Sequence, residues 1–144
     1  MSRAVPSREA YRVFYPITTR WSDNDIYGHI NNVIYYAYFD SVANRYLIDE
    51  GGLDISDGRI VGYVVNSGCE YHSPLAYPQK LEAGLRVDKL GNSSVQYGIA
   101  IFAEGERLAA ANGHFVHVFV ERAANRSVPI PKALRAALER IQSP

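Results

Sequence analysis

Two aspartates and a histidine lie within seven residues of one another, directly ahead of a segment with a helical pattern: Asp23, Asp25 and His29. The first turn of a helix carries unpaired backbone N–H groups and the positive end of the helix dipole, so it can stabilise an oxyanion. A carboxylate beside it can activate water or attack a carbonyl directly. This order of residue types fits hydrolysis of an activated acyl group, although loops and helix caps use the same residue types.

The segment that must position these residues is predicted as a helix from about Asn32 to Glu50. Asn31 or Asn32 can cap its start through a side-chain oxygen. Gly51 and Gly52 end it, because glycine readily adopts the left-handed conformation found at helix termini. Small residues in mid-stripe would let a sheet approach closely. The predicted buried stripe consists of Ile30, Val33, Ile34, Ala37, Ser41 and Ile48.

The rest of the chain indicates strands, and one long helix with a mostly antiparallel sheet is an α+β fold. Pro16 in the first strand favours an edge position. In the last strand both faces are fairly apolar, which predicts a helix on one face and another subunit on the other. The expected strands are residues 11–19, 59–71, 81–90, 95–103 and 108–121; residues 1–9 are expected to form a loose leader and residues 130–141 a C-terminal helix.

Length and composition exclude several classes of protein. The 144 residues predict one domain, and the 15 basic and 15 acidic residues argue against nucleic-acid binding through bulk charge. One cysteine, Cys69, excludes an intrachain disulfide and favours a cytoplasmic setting. No apolar run approaches the roughly 20 residues of a membrane span. The serines lack a G-x-S-x-G elbow, and the histidines lack metal-ligand spacing, so neither a serine hydrolase nor a metal site is expected.

A longer motif surrounds the aspartates and resembles the 4-hydroxybenzoyl-CoA thioesterase branch of the hotdog superfamily. Residues 70–75, 89–94 and 126–131 continue the similarity, which covers roughly residues 11–141. The motif reads Asp23-x-Asp25-x-x-Gly28-His29-Ile30-Asn31-Asn32, followed by Tyr35 and Tyr36-x-Tyr38-Phe39-Asp40.

This resemblance implies a single hotdog domain over residues 1–144, in which a five-stranded sheet wraps a central helix, and an acyl-CoA thioesterase activity. Asp25 corresponds to the catalytic carboxylate and His29 to a site histidine. The oxyanion would be held by backbone N–H groups near Asn31 and Asn32. Tyr27 stands where plant acyl-ACP thioesterases carry asparagine, so an obligatory role for His29 stays open.

The resemblance also implies where substrate binds. Tyr27 and Tyr35 are candidates for the acyl pocket, and Ser93 and Ser94 belong to a turn near which the CoA moiety lies. Gly62 interrupts a strand and either lets a ligand approach the backbone or forms a bulge. CoA enters as part of the substrate, so no separate cofactor is expected. Because sites in this family lie between subunits, we expect at least a homodimer and predict a homotetramer.

Two alternatives stay open. A hotdog enoyl-CoA hydratase or dehydratase would use an Asp–His pair in another motif, and a non-catalytic hotdog protein would only bind acyl-CoA. Asp23 is expected to form a structural hydrogen bond, and Cys69 to be a buried, inert thiol. His72, His114 and His117 are expected to be structural, and the acyl group is not determined.

Overall fold

One long helix lies against the inner face of a curled antiparallel sheet in the computed structural model, which describes residues 4–56 and 58–143. Two short 3₁₀ helices, Arg8–Ala10 and Trp21–Asp23, precede it. The other elements, in chain order, are β1 (Val13–Thr18), α1 (Ile34–Gly51), β2 (Ile60–Tyr71), β3 (Lys80–Leu90), β4 (Ser94–Ala103), β5 (Ala111–Glu121), β6 (Arg126–Ser127) and α2 (Lys132–Glu139).

The strand order in the sheet is β1-β3-β4-β5-β2, with every neighbouring pair antiparallel, and β6 pairs with the end of β5. The predicted α+β class and the five main strands are confirmed. Pro16 lies in an edge strand, as its missing N–H requires. The other edge is β2, whose far side has no partner strand among the described residues.

The buried face of α1 is not the predicted stripe. Val33, Ala37, Ser41 and Ile48 are not among the buried residues, so the inference that small residues admit the sheet was wrong. Ile30 is buried, but it precedes the helix. The buried residues of α1 are Tyr35, Tyr38, Phe39, Val42, Ala43, Tyr46, Leu47 and Gly51.

Tyrosine chemistry explains this difference. A tyrosine ring is apolar, and its hydroxyl can be buried when it finds a hydrogen-bond partner. The Tyr38 hydroxyl donates to Asp23 Oδ2 at 2.6 Å, and the Tyr46 hydroxyl donates to the Ala137 carbonyl at 2.6 Å. The prediction chose aliphatic and small residues rather than tyrosines for the buried positions. It therefore placed the buried face on the wrong side of α1.

The ends of α1 follow the predicted signals with a small shift. Asn31 Oδ1 accepts the Val33 N–H at 3.2 Å, which caps the turn ahead of the helix. At the other end Gly52 has φ 71°, and its N–H and that of Leu53 both bond to the Leu47 carbonyl. These paired bonds to one carbonyl satisfy the last turn of the helix.

The start of the chain is packed against the sheet over its described part, so residues 4–9 do not form the loose leader expected. The Arg8 N–H donates to the Arg107 carbonyl at 3.0 Å, and the Arg8 guanidinium pairs with Glu82 and lies 5.0 Å from the centre of the Phe102 ring. This segment covers one end of the outer sheet face. No helix of the described chain is long and apolar enough to cross a bilayer.

In β5 the predicted alternation holds, and Phe115, His117 and Phe119 are buried in the core. His117 is fully buried; its Nδ1 lies 3.1 Å from the Tyr97 hydroxyl, while Nε2 has no hydrogen-bond partner among the residues that the structure describes. Burial lowers the pKa of His117 to about 4. The imidazole is therefore neutral in the folded protein across the physiological range.

We expect this histidine to make the protein less stable in mild acid. An unfolded histidine has a pKa of about 6.5, so between that value and about 4 the unfolded chain binds the extra proton. The free energy of unfolding should fall by about 2–3 kcal/mol between pH 7 and pH 4.5. His117→Gln, which keeps an acceptor for Tyr97, should lose most of that fall in urea titrations at both pH values. An equal fall in both proteins would contradict the assignment.

Candidate functional site

A short hairpin carries the first candidate residues. The Asp25 N–H donates to the His29 carbonyl at 2.9 Å, and the Gly28 N–H donates to the Asp25 carbonyl at 3.1 Å. Gly28 has φ 85°, a conformation that favours glycine at this turn. Asn24 and Ile30 form the next bridge of the hairpin. Asp25 and His29 are therefore held opposite one another, with Cα atoms about 5.5 Å apart by strand geometry.

Asp23 anchors this hairpin to α1. Its carboxylate is fully buried and accepts hydrogen bonds from the Tyr38 hydroxyl at 2.6 Å, the Arg20 N–H at 3.0 Å and Arg20 Nε at 3.1 Å. Burial alone would raise the pKa of Asp23, but the bonds from Tyr38 and Arg20 outweigh it and hold the pKa below its usual value. The predicted structural role of Asp23 agrees with these contacts.

A cavity of about 330 Å³ opens at the start of α1. The Tyr35 ring meets the Tyr71 ring edge-on at 5.1 Å, so aromatic carbon forms much of one wall. Burial raises the pKa of Tyr35 to about 12, which keeps its hydroxyl neutral. The lining residues are His29, Ile30, Asn32, Tyr35, Tyr71, His72, Ser73 and Pro74.

The backbone N–H groups at this helix start are mostly engaged. Asn31 donates to the Asp23 carbonyl at 2.9 Å, Val33 donates to Asn31 Oδ1 at 3.2 Å, and Ile34 donates to the Asn31 carbonyl at 2.9 Å. The Ile30 N–H donates to the Leu75 carbonyl at 2.8 Å. Of residues 30–34, only Asn32 has an N–H with no partner among residues 4–56 and 58–143. Of the two residues predicted to supply an oxyanion donor, Asn32 has the free one.

Asp25 borders a neighbouring depression rather than the helix cavity. Its Oδ1 accepts the Tyr27 N–H at 2.9 Å, and its Oδ2 has no partner within residues 4–56 and 58–143. The adjacent side chains protrude: Ile26 is 93% exposed and Tyr27 82% exposed. In a single chain the hairpin thus separates Asp25 from the cavity that His29, Asn32 and Tyr35 line.

The structure does not bring Gly62, Ser93 and Ser94 to this cavity within one chain. Gly62 pairs with Phe119, and a Cβ there would lie 3.3 Å from the His117 ring. Ser94 pairs with Val118, at the same end of the sheet. Gly62 and Tyr71 lie near opposite ends of β2, a separation of roughly 30 Å at the usual rise of a strand. These three residues therefore form a second group at the far end of β2.

Several arginines lie near the second group of Gly62, Ser93 and Ser94. The sequence reasoning missed them because they are scattered along the chain and the net charge is zero. The Arg122 N–H donates to the Arg59 carbonyl at 2.6 Å, and Arg126 pairs with Glu121 across the β5–β6 ladder. Arg135 Nη2 donates to the Gly91 carbonyl at 2.5 Å and so reaches the turn before Ser93. The Arg135 guanidinium therefore lies at this turn, and the backbones of Arg59, Arg122 and Arg126 lie at the same end of the sheet.

Three further residues, Cys69, His72 and Tyr71, lie in or directly after β2. Cys69 is half-buried, and burial raises the pKa of its thiol to about 11, as an inert thiol requires. His72 Nε2 lies 2.6 Å from Asn112 Oδ1, and its side chain also borders the cavity, which reasoning from sequence did not propose. The sequence reasoning also missed Tyr71. His72 and Tyr71 lie where β2 ends, and only the fold brings that end to α1. Among the described residues no three His, Cys, Asp or Glu side chains converge.

A helix held by a curled sheet, with a cavity at the helix start, defines a hotdog protein of the thioesterase class, and the comparisons with known proteins agree. Residues 19–138 match the family described as the thioesterase-like superfamily. The chain therefore belongs to the thioesterase-like superfamily.

Solved structures support the same assignment. The chain is similar to the PA5185 protein from Pseudomonas aeruginosa strain PAO1, with 60% identity and a TM-score of 0.96 over 97% of this chain and 98% of that one. A thioesterase from Thermus thermophilus, complexed with coenzyme A and Zn, is 28% identical with a TM-score of 0.77 over 93% and 96% of the two chains. The gentisyl-coenzyme A thioesterase BH1999 is 22% identical with a TM-score of 0.78 over 88% and 99%, which shows the shared fold.

The buried contact between Tyr38 and Asp23 should support both stability and site geometry. Tyr38→Phe removes the donor to a buried carboxylate, and we expect the free energy of unfolding to fall by about 1–3 kcal/mol. Tyr15→Phe, a half-buried tyrosine in β1, is the matched control and should change stability by much less. Urea denaturation measures both. Equal effects of the two substitutions would show that Asp23 does not depend on Tyr38.

Proposed function

We propose that this protein is a cytoplasmic acyl-CoA thioesterase, which hydrolyses the thioester of an acyl-CoA to the free acid and CoA. The observation that carries the proposal is the cavity at the start of α1, which Asn32 lines and near which the hairpin holds Asp25. Membership of the thioesterase-like superfamily supports the reaction class. The relative of Thermus thermophilus, complexed with coenzyme A, supports CoA as the carrier.

The chemistry requires little of the protein beyond these groups. With the thioester carbonyl in the cavity, the Asn32 N–H donates to the oxygen as it gains negative charge. Asp25 as a base takes a proton from water, the resulting hydroxide adds to the carbonyl carbon, the C–S bond breaks, and the thiolate of CoA leaves and is protonated. Asp25 as a nucleophile instead forms a mixed anhydride as the C–S bond breaks, and water then hydrolyses that anhydride.

His29 has a supporting place in this scheme. It lines the cavity and lies opposite Asp25 in the hairpin, so it can orient the bound thioester between the two groups. Tyr35 forms the apolar wall against which the acyl group packs. Tyr27, at the exposed tip of the hairpin, is placed to cover the acyl group or to meet a second subunit.

A second copy of the chain would complete the site. The free edge of β2 exposes Tyr63, Val64 and Val65, the last at 59%. If two β2 strands pair antiparallel about a twofold axis, the Gly62 end of one strand meets the Tyr71 end of the other. The second group of predicted residues, Gly62, Ser93 and Ser94, then approaches the helix cavity of the other subunit, and both groups belong to one site.

The same pairing explains the arginines. Each helix cavity would face the basic surface of the other subunit, formed by Arg59, Arg122 and Arg126 beside the Ser93–Ser94 turn. Arginine is well suited to bind the phosphates of CoA. A homodimer is thus the smallest active unit we propose. Val116 and Val118 on the outer sheet face, both only half-buried, favour pairing of two dimers into a homotetramer.

The preferred acyl group should be identified with the wild-type protein before any variant is assayed. The cavity of about 330 Å³ with tyrosine walls suits a ring or a short chain. CoA release should be measured from acyl-CoAs of graded length, including benzoyl and phenylacetyl forms. The acyl-CoA with the highest kcat/KM then serves in every experiment that follows.

Replacing the proposed catalytic carboxylate is the central test. Asp25→Asn cannot take a proton or attack the carbonyl, so we expect kcat to fall at least about a hundredfold while the fold is kept. Asp49→Asn is the matched control, because Asp49 is an exposed carboxylate near the other end of α1 that pairs with Arg45. Thiol release and circular dichroism measure activity and folding.

Three outcomes contradict the proposal. A folded Asp25→Asn protein with the wild-type rate removes Asp25 from the chemistry. Turnover of an enoyl-CoA by hydration, without thiol release, indicates a hydratase. Tight acyl-CoA binding with no turnover of any member of the panel indicates a binding protein.

The proposed dimer edge has its own test. Charged residues on an edge strand oppose strand pairing, so Tyr63→Lys with Val65→Lys should convert the dimer to a monomer in light-scattering measurements. Thiol release should fall with the dimer, because each site needs both subunits. Leu108→Lys, an exposed apolar residue away from β2, should leave the dimer intact. A double variant that stays dimeric and active would show that the subunits pair elsewhere.

A further inference from the structure

Tyr71, the last residue of β2, connects the sheet directly to the start of α1. Its hydroxyl donates to the Asn32 carbonyl at 2.9 Å, and its ring packs edge-on against Tyr35. It also lines the cavity, together with Asn32. No role was assigned to Tyr71 from the sequence or from the proposed chemistry.

The hydrogen bond from Tyr71 fixes one of two consecutive peptide groups at the start of α1. The peptide between Asn32 and Val33 is held at both ends: Tyr71 donates to its oxygen, and its N–H donates to Asn31 Oδ1 at 3.2 Å. The preceding peptide is fixed by the Ile34 N–H, which donates to the Asn31 carbonyl at 2.9 Å. With both neighbouring peptide planes fixed, Asn32 has little freedom to rotate, although its side chain is exposed to solvent.

A donor that is already oriented lowers a reaction barrier more than one that must reorganise as charge develops. The Asn32 N–H lies in the plane of the peptide between Asn31 and Asn32, which joins the Asn32–Val33 peptide at the Asn32 Cα. Burial raises the pKa of Tyr71 well above its usual value, which keeps the hydroxyl protonated and able to donate.

We propose that Tyr71 is a positioning residue for thioester hydrolysis, whose hydroxyl fixes the Asn32–Val33 peptide so that the Asn32 N–H stays ready for the oxyanion. This inference rests on the proposed thioesterase function and adds a residue to its site. Tyr71 would touch the backbone rather than the reacting atoms.

The test is Tyr71→Phe, which keeps the ring and its packing on Tyr35 and removes only the hydroxyl. We expect kcat to fall about tenfold, since the hydrogen bond to the Asn32 carbonyl is lost, and KM to change less than about twofold. Tyr15→Phe, far from the cavity in β1, should change neither. Rates are expressed per folded protein, measured by circular dichroism at the assay temperature, so a loss of folded enzyme does not count as a loss of kcat.

A second variant tests the same peptide from its other side. Asn31→Ala removes the other hydrogen bond to the same peptide, so the effects of Asn31→Ala and Tyr71→Phe on kcat should be non-additive in a double-mutant cycle. Strictly additive effects, or a Tyr71→Phe enzyme with wild-type kcat, would overturn the inference while the thioesterase proposal stands. A wild-type protein that releases no thiol from any acyl-CoA would overturn the proposed function itself.

Discussion

The site depends on one buried carboxylate, that of Asp23. It is removed from water, which is costly for an ion unless several donors replace the water. Tyr38 and Arg20 supply those donors, and the Asp23 carbonyl accepts the Asn31 N–H. One residue thereby joins the loop after β1, the hairpin and the body of α1. Without it, neither the position of Asp25 nor the direction of the first helical turn would be fixed.

Asp23 and Asp25 are only two residues apart, yet their carboxylates have very different hydrogen-bond partners. The donors around Asp23 hold its charge and leave it no capacity for chemistry. Asp25 has one oxygen engaged by the Tyr27 N–H and the other without a partner in the described part of the chain. A carboxylate of this second kind can accept a proton or attack a carbonyl. The hairpin that follows, closed at Gly28, leaves the Asp25 carboxylate half-buried near the cavity.

The N–H groups of the helix start are divided in a similar way. Four of the five N–H groups from Ile30 to Ile34 hold the local structure together, and that of Asn32 has no partner in the described part of the chain. Strand β2 carries Tyr71 at the cavity and Gly62 near its opposite end, roughly 30 Å away within one chain.

The sequence by itself determined the α+β fold, the strand order along the chain, the ends of the long helix and the loop that carries Asp25, because turn residues, β-branched runs and a long motif are local signals. It misplaced the buried face of α1, because Tyr35, Tyr38 and Tyr46 become core residues only when the fold surrounds their rings and supplies partners for buried hydroxyls. Only the tertiary structure decided that Asn32 rather than Asn31 has the free N–H, that Tyr71 reaches α1, and that Gly62 and Ser94 lie far from Asp25. These features depend on contacts between residues that are far apart in the sequence. Hydrogen-bond partners separated by tens of residues produce no periodic pattern in a sequence.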